Sequence, residues 1–503
     1  MGAPRCCASV RNFFSFMFQK LWEGFLSLKG SSKDLYIIFV LQVLDSFAYF
    51  VMSLMYTLFL TNKFGISDTQ AGLSYGLWGM LITVNHVVFS PVVDFIGVKK
   101  SLLIGFFLAS VGRALMASTH SVTVLWVALY GFMPTAAGFS GTMLLVGIKR
   151  YANPAGRGFA YGLFYSLMNV AAFANGSVFD VFRRKLVNGL KIDSWGPDSM
   201  LNDGLRLYLL VTVITTIFSF ILSLFLDENV CLEDPEAPEP KTKPEELMPK
   251  VKFGRRILNF IKELKDLWSM TLLKFLIVCA LTINLKQIFR HLDATFPKYQ
   301  IRAFGCDAPV GLTYSINPFM IIFMVPVVQA ILTKYNHYDV IHFGSYITGL
   351  SPFFLVFSQT KWASAVFVVM LSIGESVWSP RWYDYSMSIA PHGREAIFSG
   401  LASAPLFLAK LPTGWLSGWI LAKWCPKNVV CERGELPIAD PQACNGSMVW
   451  LVIGCLTLSS PICLLLGSKW LRSTGSHQPK PVKDDKLGST SDAADETQPL
   501  LEN

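Results

Sequence analysis

Charged residues are scarce in this sequence. Only 15% of its 503 residues are Asp, Glu, Lys or Arg, whereas 52% are hydrophobic. Soluble globular domains contain roughly 25% charged residues, so the composition excludes a soluble protein and indicates a membrane protein with several spans. The net charge of +9 is typical of Lys and Arg that collect in cytoplasmic loops, and it gives no reason to expect a nucleic-acid partner.

The motifs of enzymes and pumps are missing as well. The sequence contains no G-x-S-x-G, no Walker phosphate-binding loop and no metal-site spacing of His, Cys and Asp. Its ten cysteines form no CxxC pair. We therefore expect neither an enzyme nor an ATP-driven pump, and no cofactor other than a proton as a candidate coupling ion. No cleavable signal peptide is expected, because charges interrupt residues 5–29.

Long apolar runs, in contrast, recur twelve times, each about 20 residues long, which is enough to cross a bilayer as a helix. They fall into two sets, within residues 34–226 and 271–468. The first six spans are predicted near residues 35–60, 71–93, 101–118, 122–147, 157–180 and 206–226. The second six are predicted near residues 271–293, 309–333, 340–358, 362–389, 397–422 and 448–468. The sequence thus predicts an all-α membrane protein of 12 transmembrane helices in two six-helix bundles.

Three segments are too polar to span the membrane. Residues 1–33 are basic, and their apolar side chains recur at helical spacing, which predicts an amphipathic helix on the cytoplasmic leaflet. Residues 227–270 form a cytoplasmic linker that begins acidic and proline-rich and ends in another amphipathic helix. Residues 469–503 form a tail that we expect to be disordered. Loop Lys and Arg place both termini in the cytoplasm, although four cations in the predicted outer loop 181–206 oppose this topology.

The predicted outer loops contain four cysteines and one glycosylation sequon. Cys306 follows the seventh span, and Cys425, Cys431 and Cys444 lie in the loop before the twelfth. Cysteines on one face of a membrane could be bridged in an oxidising compartment. Asn445 begins an N-G-S sequence, which makes it the predicted glycosylation site.

The C-terminal tail ends in a candidate sorting signal. Glu496, Leu500 and Leu501 fit the acidic dileucine pattern that clathrin adaptors bind. Adaptor binding would send the protein to an endosomal, lysosomal or vacuolar membrane. A disordered tail that happens to end in two leucines is an equally good explanation, and the plasma membrane stays an alternative location.

The tenth span contains a charged residue at bilayer depth. Glu375 follows an apolar run, and Ser379-Pro380 comes one turn later. A buried carboxylate usually faces a water-filled cavity or a partner charge, and Pro kinks a helix where protein or a cavity can satisfy the freed backbone. We expect Glu375 to face a cavity, with an ion pair that holds two helices together as the alternative.

The loop after the second span has the pattern D-x-x-G-x-K, formed by Asp94, Gly97 and Lys99. This pattern, together with six spans, a linker and six more spans, resembles the major facilitator superfamily. The resemblance implies two halves that rock around a central site. It also implies that Asp94, Gly97 and Lys99 act in gating, as a latch between helices, rather than in substrate binding.

Three further motifs resemble the proton-dependent oligopeptide transporter branch of that superfamily. They are Asn317-Pro318 in the eighth span, G-E-x-x-x-S-P around Glu375 in the tenth, and F-Y-x-x-x-N ending at Asn169 in the fifth. The resemblance implies that Glu375 receives the amino terminus of a substrate and that Asn317 belongs to the same site.

The sequence departs from the branch where a peptide's carboxylate is bound. The first span has Gln42, Asp45 and Ser46 in place of E-x-x-E-R, and Ser53 in place of a second Arg. Phe139 lies where the fourth helix of the branch has a Lys. The usual cationic clamp is therefore missing, and a peptide substrate does not follow from the resemblance.

The seventh span has Lys286-Gln287 where the branch has a glutamate before a glutamine. By the resemblance, Lys286 and Glu375 face each other across the cavity. They could form a gate, a proton-sensitive pair or a static neutralising pair, and these alternatives stay open. Arg113, in the third span, is a further candidate for substrate or proton binding.

Asp45 is the candidate proton carrier of the first span, because burial raises the pKa of a carboxyl group towards neutrality. A hydrogen bond within the span is the alternative, and transport would then be facilitative. Tyr49 matches an aromatic residue that lines the pocket in the branch, although core packing explains it equally well. His86 is more readily explained as a helix-packing residue than as a proton relay.

We therefore predict a secondary transporter that moves a small organic solute, such as a peptide, an amino acid or a related compound. Its partners would be the solute and the lipid bilayer, and we expect it to work as a monomer. Two other functions stay open, a facilitative uniporter or exchanger of another solute or anion, and a transporter-like receptor that senses a solute.

Overall fold

The N-terminal half of the chain forms six long helices. They are α1 (Lys33–Lys63), α2 (Asp68–Ile96), α3 (Val98–Ser118), α4 (Val122–Tyr151), α5 (Arg157–Asp180) and α6 (Gly204–Ser223). A π-helical turn interrupts α4 at Ala128–Phe132, and another extends α5 at Val181–Lys185. Helix α1 packs against α5 and α6, and α3 packs against α4 and α6, so the six helices form one bundle.

The C-terminal half forms a second bundle of six. Its helices are α7 (Met270–Ala294), α8 (Val310–Leu332), α9 (His337–Phe357), α10 (Lys361–Ser388), α11 (Lys410–Trp424) and α12 (Gly446–Leu466). A short helix, Phe296–Phe304, follows α7. Pro380 lies inside α10, as the predicted kink requires, and α8 contains Pro318 and Pro326. Helix α9 packs against α10 and α12.

This computed structural model describes residues 19, 22–190, 200–228, 270–332, 335–388, 408–427 and 443–471. Within these ranges there is no β-strand, and nine helices are long and apolar enough to span a bilayer. Helices α2, α5 and α11 do not meet that threshold, and all three lie where the two bundles touch. The predicted all-α fold is confirmed for the described residues, and their helices are consistent with the predicted twelve spans in two bundles.

Side chains that cap helix N-termini explain where several spans begin. Ser32, Ser67, Asp203 and Asn336 accept hydrogen bonds from backbone N–H groups in the first turns of α1, α2, α6 and α9. Such caps satisfy amides that have no partner within the helix. Asn445, the predicted glycosylation site, is itself the cap of α12, and its Oδ1 accepts from the Met448 amide at 3.2 Å.

A disulfide joins Cys425 at the end of α11 to Cys444 just before α12. Cys306 is also disulfide-bonded, whereas Cys431 lies outside the described residues. The predicted helix in the linker and the sorting residues Glu496, Leu500 and Leu501 are outside them as well, and both stay predictions.

Candidate functional site

A cavity of about 490 Å³ separates the two bundles, a volume that suits a small organic molecule. The N-terminal bundle contributes neutral polar and aromatic side chains to its wall, including Phe50, His86, Tyr165 and Asn169. The C-terminal bundle contributes Lys286, Arg290, Asp293, Asn317, Glu375 and Trp378. Among the described lining residues, those with a full charge therefore belong to the C-terminal bundle.

The two bundles meet at the end of the molecule where α1 ends and α2 begins, and we call this the distal end. The opposite end, where α1 begins, is the proximal end. Glycines allow the backbones to touch. A Cβ added at Gly72 of α2 would clash with the carbonyl oxygen of Gly414 in α11, and one added at Gly311 of α8 would clash with that of Gly176 in α5. The distal end of the cavity is therefore closed by direct helix packing.

Ion pairs reinforce this closure. Asp68 at the start of α2 accepts hydrogen bonds from Lys298 and Arg302 of the short helix, both at 2.8 Å. Burial lowers the pKa of the Lys298 ammonium to about 8, although Asp68 acts in the opposite direction. On the other side of the seam, Asp180 of α5 accepts from the Leu312 amide at 2.9 Å.

Asp293 of α7 joins four helices next to the cavity. Its Oδ2 accepts hydrogen bonds from the Ser53 hydroxyl of α1 at 2.9 Å and the Tyr75 hydroxyl of α2 at 3.1 Å. Its Oδ1 accepts from Tyr314 of α8 at 3.2 Å, and Arg290 forms an ion pair of 3.2 Å with Oδ2. Ser53, which stands where the resemblance would place an Arg, thus binds a carboxylate of the opposite bundle.

Glu375 lines the cavity, as its sequence context predicts. Its Oε2 accepts a hydrogen bond of 2.7 Å from the amide of Asn317, and the same amide donates to the Ser372 hydroxyl at 3.1 Å. The structure thus brings together the two residues that carry the resemblance in α8 and α10. Because Asn317 is a neutral donor, it orients the carboxylate without neutralising its charge.

Lys286 lies near Glu375 and interacts with it electrostatically. Its ammonium lies 5.6 Å from the ring centre of Trp378 and 5.4 Å from that of Trp382. Two indole rings therefore stabilise the cation as cation–π partners. Gln287, the other predicted residue of this span, is not among the residues that line the cavity. Its side-chain amide donates a hydrogen bond of 3.0 Å to Asn284.

Asp45 and Arg113 are placed together, but away from the cavity wall. Arg113 is the charge that acts on Asp45, and neither residue is among those that line the cavity. A role in substrate contact is therefore less direct for this pair than for Glu375. His86 does line the cavity, and its Nε2 lies 2.9 Å from the carbonyl oxygen of Ala137.

Tyr49 contacts a charged residue to which none of the sequence motifs assigns a role. Lys410 of α11 donates a hydrogen bond of 2.8 Å to the Tyr49 hydroxyl. Tyr49 in turn lies on Trp78 with a ring-centre distance of 5.9 Å. The match between Tyr49 and the aromatic residue of the branch indicated a pocket, but no local signal connects α1 with a Lys 361 residues later.

At the proximal end, Gly97 makes the turn between α2 and α3 with φ = 86°, a conformation that favours glycine. The α3 N-terminus is capped by Glu228, which accepts from the amides of Val98 at 3.0 Å and Lys99 at 2.8 Å. Arg150 forms an ion pair with Glu228 at 2.8 Å. The side chain of Asp94 lies outside the described part of the structure, and its gating role stays a prediction.

The superfamily follows from one comparison with known proteins. A family model described as Major Facilitator Superfamily matches residues 38–409. No curated protein matches the chain in sequence.

Solved structures share the fold at low identity. A POT family transporter in complex with 5-aminolevulinic acid is 16% identical, with a TM-score of 0.64 over 87% of this chain and 96% of that chain. A second solved structure, from work on substrate recognition in proton dependent oligopeptide transporters, is 14% identical. Its TM-score is 0.63 over 88% of this chain and 97% of that chain. Similarity to solved structures at this level of identity shows only the fold. The family model matches most of the sequence and therefore shows the superfamily. The chain therefore belongs to the Major Facilitator Superfamily, and it is a membrane transporter rather than an enzyme.

Proposed function

We propose that this protein moves a small organic solute with an amino group across a membrane by alternating access. The observation that supports this most directly is the cavity between the bundles, lined by Glu375 and closed at the distal end. In this arrangement the solute would exchange at the proximal end, and rocking of the bundles would open the distal end instead.

Glu375 is the proposed acceptor for the solute's amino group. A charge-assisted hydrogen bond to a carboxylate is stronger than one between neutral groups, and Asn317 holds Glu375 in position at 2.7 Å. Lys286 and Arg290 line the same cavity, and they are the proposed partners for a carboxyl group of the solute. A peptide, an amino acid or a related compound with both groups fits these charges, and 5-aminolevulinic acid, bound by one similar structure, is an example.

We further propose that a proton moves with the solute and that Asp45 carries it. Glu375 lines the cavity, whereas Asp45, the other candidate carboxyl group, lies with Arg113 away from its wall. A carboxyl group that bound the proton and the amino group in turn would exchange one for the other, so in cotransport Glu375 binds the amino group while Asp45 carries the proton. Because Asp45 lies on α1 and away from the cavity wall, its protonation would influence the cavity indirectly, through helix α1.

The experiment combines a binding screen with flux. Purified protein is screened by thermal shift against peptides, amino acids, nucleosides, sugars and organic anions, because a ligand stabilises the folded state that binds it. Uptake of each binder is then measured in proteoliposomes with and without an inward proton gradient. We expect an amine-bearing binder whose uptake rises with the gradient.

Matched variants assign the roles. Glu375→Gln should abolish gradient-driven uptake, whereas Asp339→Asn, at the start of α9, should leave it unchanged. Asp45→Asn tests the proton carrier in the same assay. Uptake that ignores the gradient would favour a uniporter or exchanger, and binding without any flux would favour a receptor and contradict the transport proposal.

A further inference from the structure

A cage of three aromatic rings encloses the ammonium group of Lys410. Its Nζ lies 4.5 Å from the ring centre of Trp78, 5.0 Å from that of Tyr49 and 5.5 Å from that of Tyr75. The Tyr49 hydroxyl accepts its hydrogen bond at 2.8 Å. We call Tyr49, Tyr75 and Trp78 the aromatic cage. Such cages are a known way to bind organic ammonium groups.

The cage replaces the carboxylate that a buried lysine normally needs. Lys410 is only 1% exposed, and an unpaired buried ammonium is expensive. Asp293, a carboxylate that acts on Lys410 electrostatically, forms its ion pair with Arg290 instead, and no ion pair to Lys410 occurs among the described residues. The rings of the cage are therefore the main groups that stabilise this cation.

The cage and the lysine that fills it belong to different bundles. Tyr49, Tyr75 and Trp78 are on α1 and α2, whereas Lys410 is on α11. The lysine enters past Gly79 of α2, where a side chain would collide with its methylenes. The seam between α2 and α11 extends from Gly72 to Gly79, so a separation of the bundles that opens this whole seam withdraws Lys410 from the cage.

The emptied cage would adjoin the solute cavity. The ring centre of Tyr49 is 5.5 Å from that of Phe50, which lines the cavity. Tyr75 donates to Asp293, which lines it too. An ammonium group that enters from the distal side would therefore meet the cage before or beside Glu375.

We propose that the aromatic cage is a cation site that binds the ammonium group of a solute when the distal end is open, and that Lys410 displaces this group as the end closes. The proposal rests on the proposed alternating-access function. It identifies the solute as an organic cation or zwitterion with an accessible amine. It also gives the distal closure a role in release, because the lysine competes for the same rings.

The first test empties the cage in detergent. Lys410→Ala removes three methylenes and the ammonium, so n-propylammonium has the shape and charge of the missing atoms, and 1-propanol has the shape alone. We expect n-propylammonium to raise the unfolding temperature of Lys410→Ala but not of the wild type, and 1-propanol to have no such effect. Equal effects of the two compounds, or none, would overturn the proposal.

The second test asks whether the rings provide the binding. In Lys410→Ala with Trp78→Leu, the affinity for n-propylammonium should fall about tenfold or more, the size expected for a buried cation–π contact. Trp415→Leu, a change on the exposed face of α11, is the matched control and should keep the affinity. Lys410→Met, which keeps most of the side-chain length without the charge, verifies that the chain folds with a neutral residue at this position.

The third test uses the intact lysine and a solute. In the wild type, an amine-bearing solute from the screen should bind about tenfold more tightly than in Trp78→Leu when it is supplied on the distal side. A transported solute without an amine, or one that Trp78→Leu binds normally, would contradict the proposal. The detergent test does not depend on flux, so discrimination of n-propylammonium without any transport would refute the proposed function and keep the cation site.

Discussion

The two bundles contribute different kinds of side chain to the central cavity. The described wall of the N-terminal bundle has neutral polar and aromatic residues such as His86 and Asn169, whereas the C-terminal bundle provides Lys286, Arg290 and Glu375. From this difference we infer that the C-terminal bundle binds the charged groups of a solute and that the N-terminal bundle contacts its uncharged part.

The same asymmetry extends to the contacts between the bundles. Charges of the C-terminal bundle reach into polar or aromatic surroundings in the N-terminal bundle, with Asp293 bound by Ser53 and Tyr75, and Lys410 held by Tyr49. These contacts place a charge on one face and neutral partners on the other, so the faces can separate there without leaving an ion on each; the Asp68 ion pairs at the distal end are an exception.

The largest effect is expected from Asp293→Ala, which breaks the contact between the bundles at its centre. The substitution leaves Arg290 without its ion pair, and removal of one partner of a buried pair costs about 3–5 kcal/mol. Unfolding followed in detergent measures the loss. Ser53→Ala, which removes only one neutral donor from Asp293, is the milder comparison, and an equal loss in both variants would contradict the central role of the charge.

The next effect compares the two walls of the cavity directly. Glu375→Gln should weaken binding of an amine-bearing solute about 10- to 100-fold, since a charged hydrogen bond contributes about 1.5–3 kcal/mol. Asn169→Ala, on the neutral wall, should weaken it by less than about tenfold. Isothermal titration of both variants gives the ratio. If Asn169→Ala had the larger effect, the proposed division between the bundles would be wrong.

Closure of the distal end should respond to Gly72→Ala. The added methyl meets the carbonyl oxygen of Gly414, and overpacking of this kind costs about 1–3 kcal/mol. Spin labels at positions 62 and 426, on the distal ends of the two bundles, should report a longer distance. Gly162→Ala, which meets nothing within 4 Å, should leave the distance unchanged.

The smallest effect is a pH dependence of the same closure. Burial lowers the pKa of Lys298 from 10.5 to about 8. Between pH 8 and 10.5 the Lys298 amine is therefore protonated in the open or unfolded state and mostly neutral in the closed state. The closed state is therefore penalised below pH 8 and gains stability as the pH rises, by about 1 kcal/mol from pH 8 to 9. Asp68, Arg302 and Lys427 are the charges that act on Lys298.

The distance between the two spin labels, measured as a function of pH, tests whether the closed state gains stability as the pH rises. The population with a closed distal end should grow from pH 7 to 9 in the wild type. It should not change in this range in Lys298→Gln, which has no proton to lose. A closed population that shrinks as the pH rises would show that the ion pair with Asp68 outweighs the burial of Lys298.

The fold and part of the site could be predicted from local patterns. Hydrophobic length located the spans, and the short motifs around Glu375 and Asn317 indicated two residues that the structure joins by a hydrogen bond of 2.7 Å. Both motifs lie within single helices, so a few neighbouring residues carry the signal. Asp45, chosen on the same grounds, lies with Arg113 instead of on the cavity wall, because the position of a helix residue around its axis depends on which neighbours pack there.

What the sequence determined by itself is the membrane class, the helical architecture and a carboxylate in the tenth span. These follow from hydrophobicity and from the cost of a charge in lipid, which are properties of single segments. Only the tertiary structure decided that Ser53 would bind Asp293 and that Lys410 would fill a cage built from α1 and α2. Those pairs are 240 residues or more apart, and the physical reason is that packing of the two bundles, not sequence distance, brings a charge to the groups that can stabilise it.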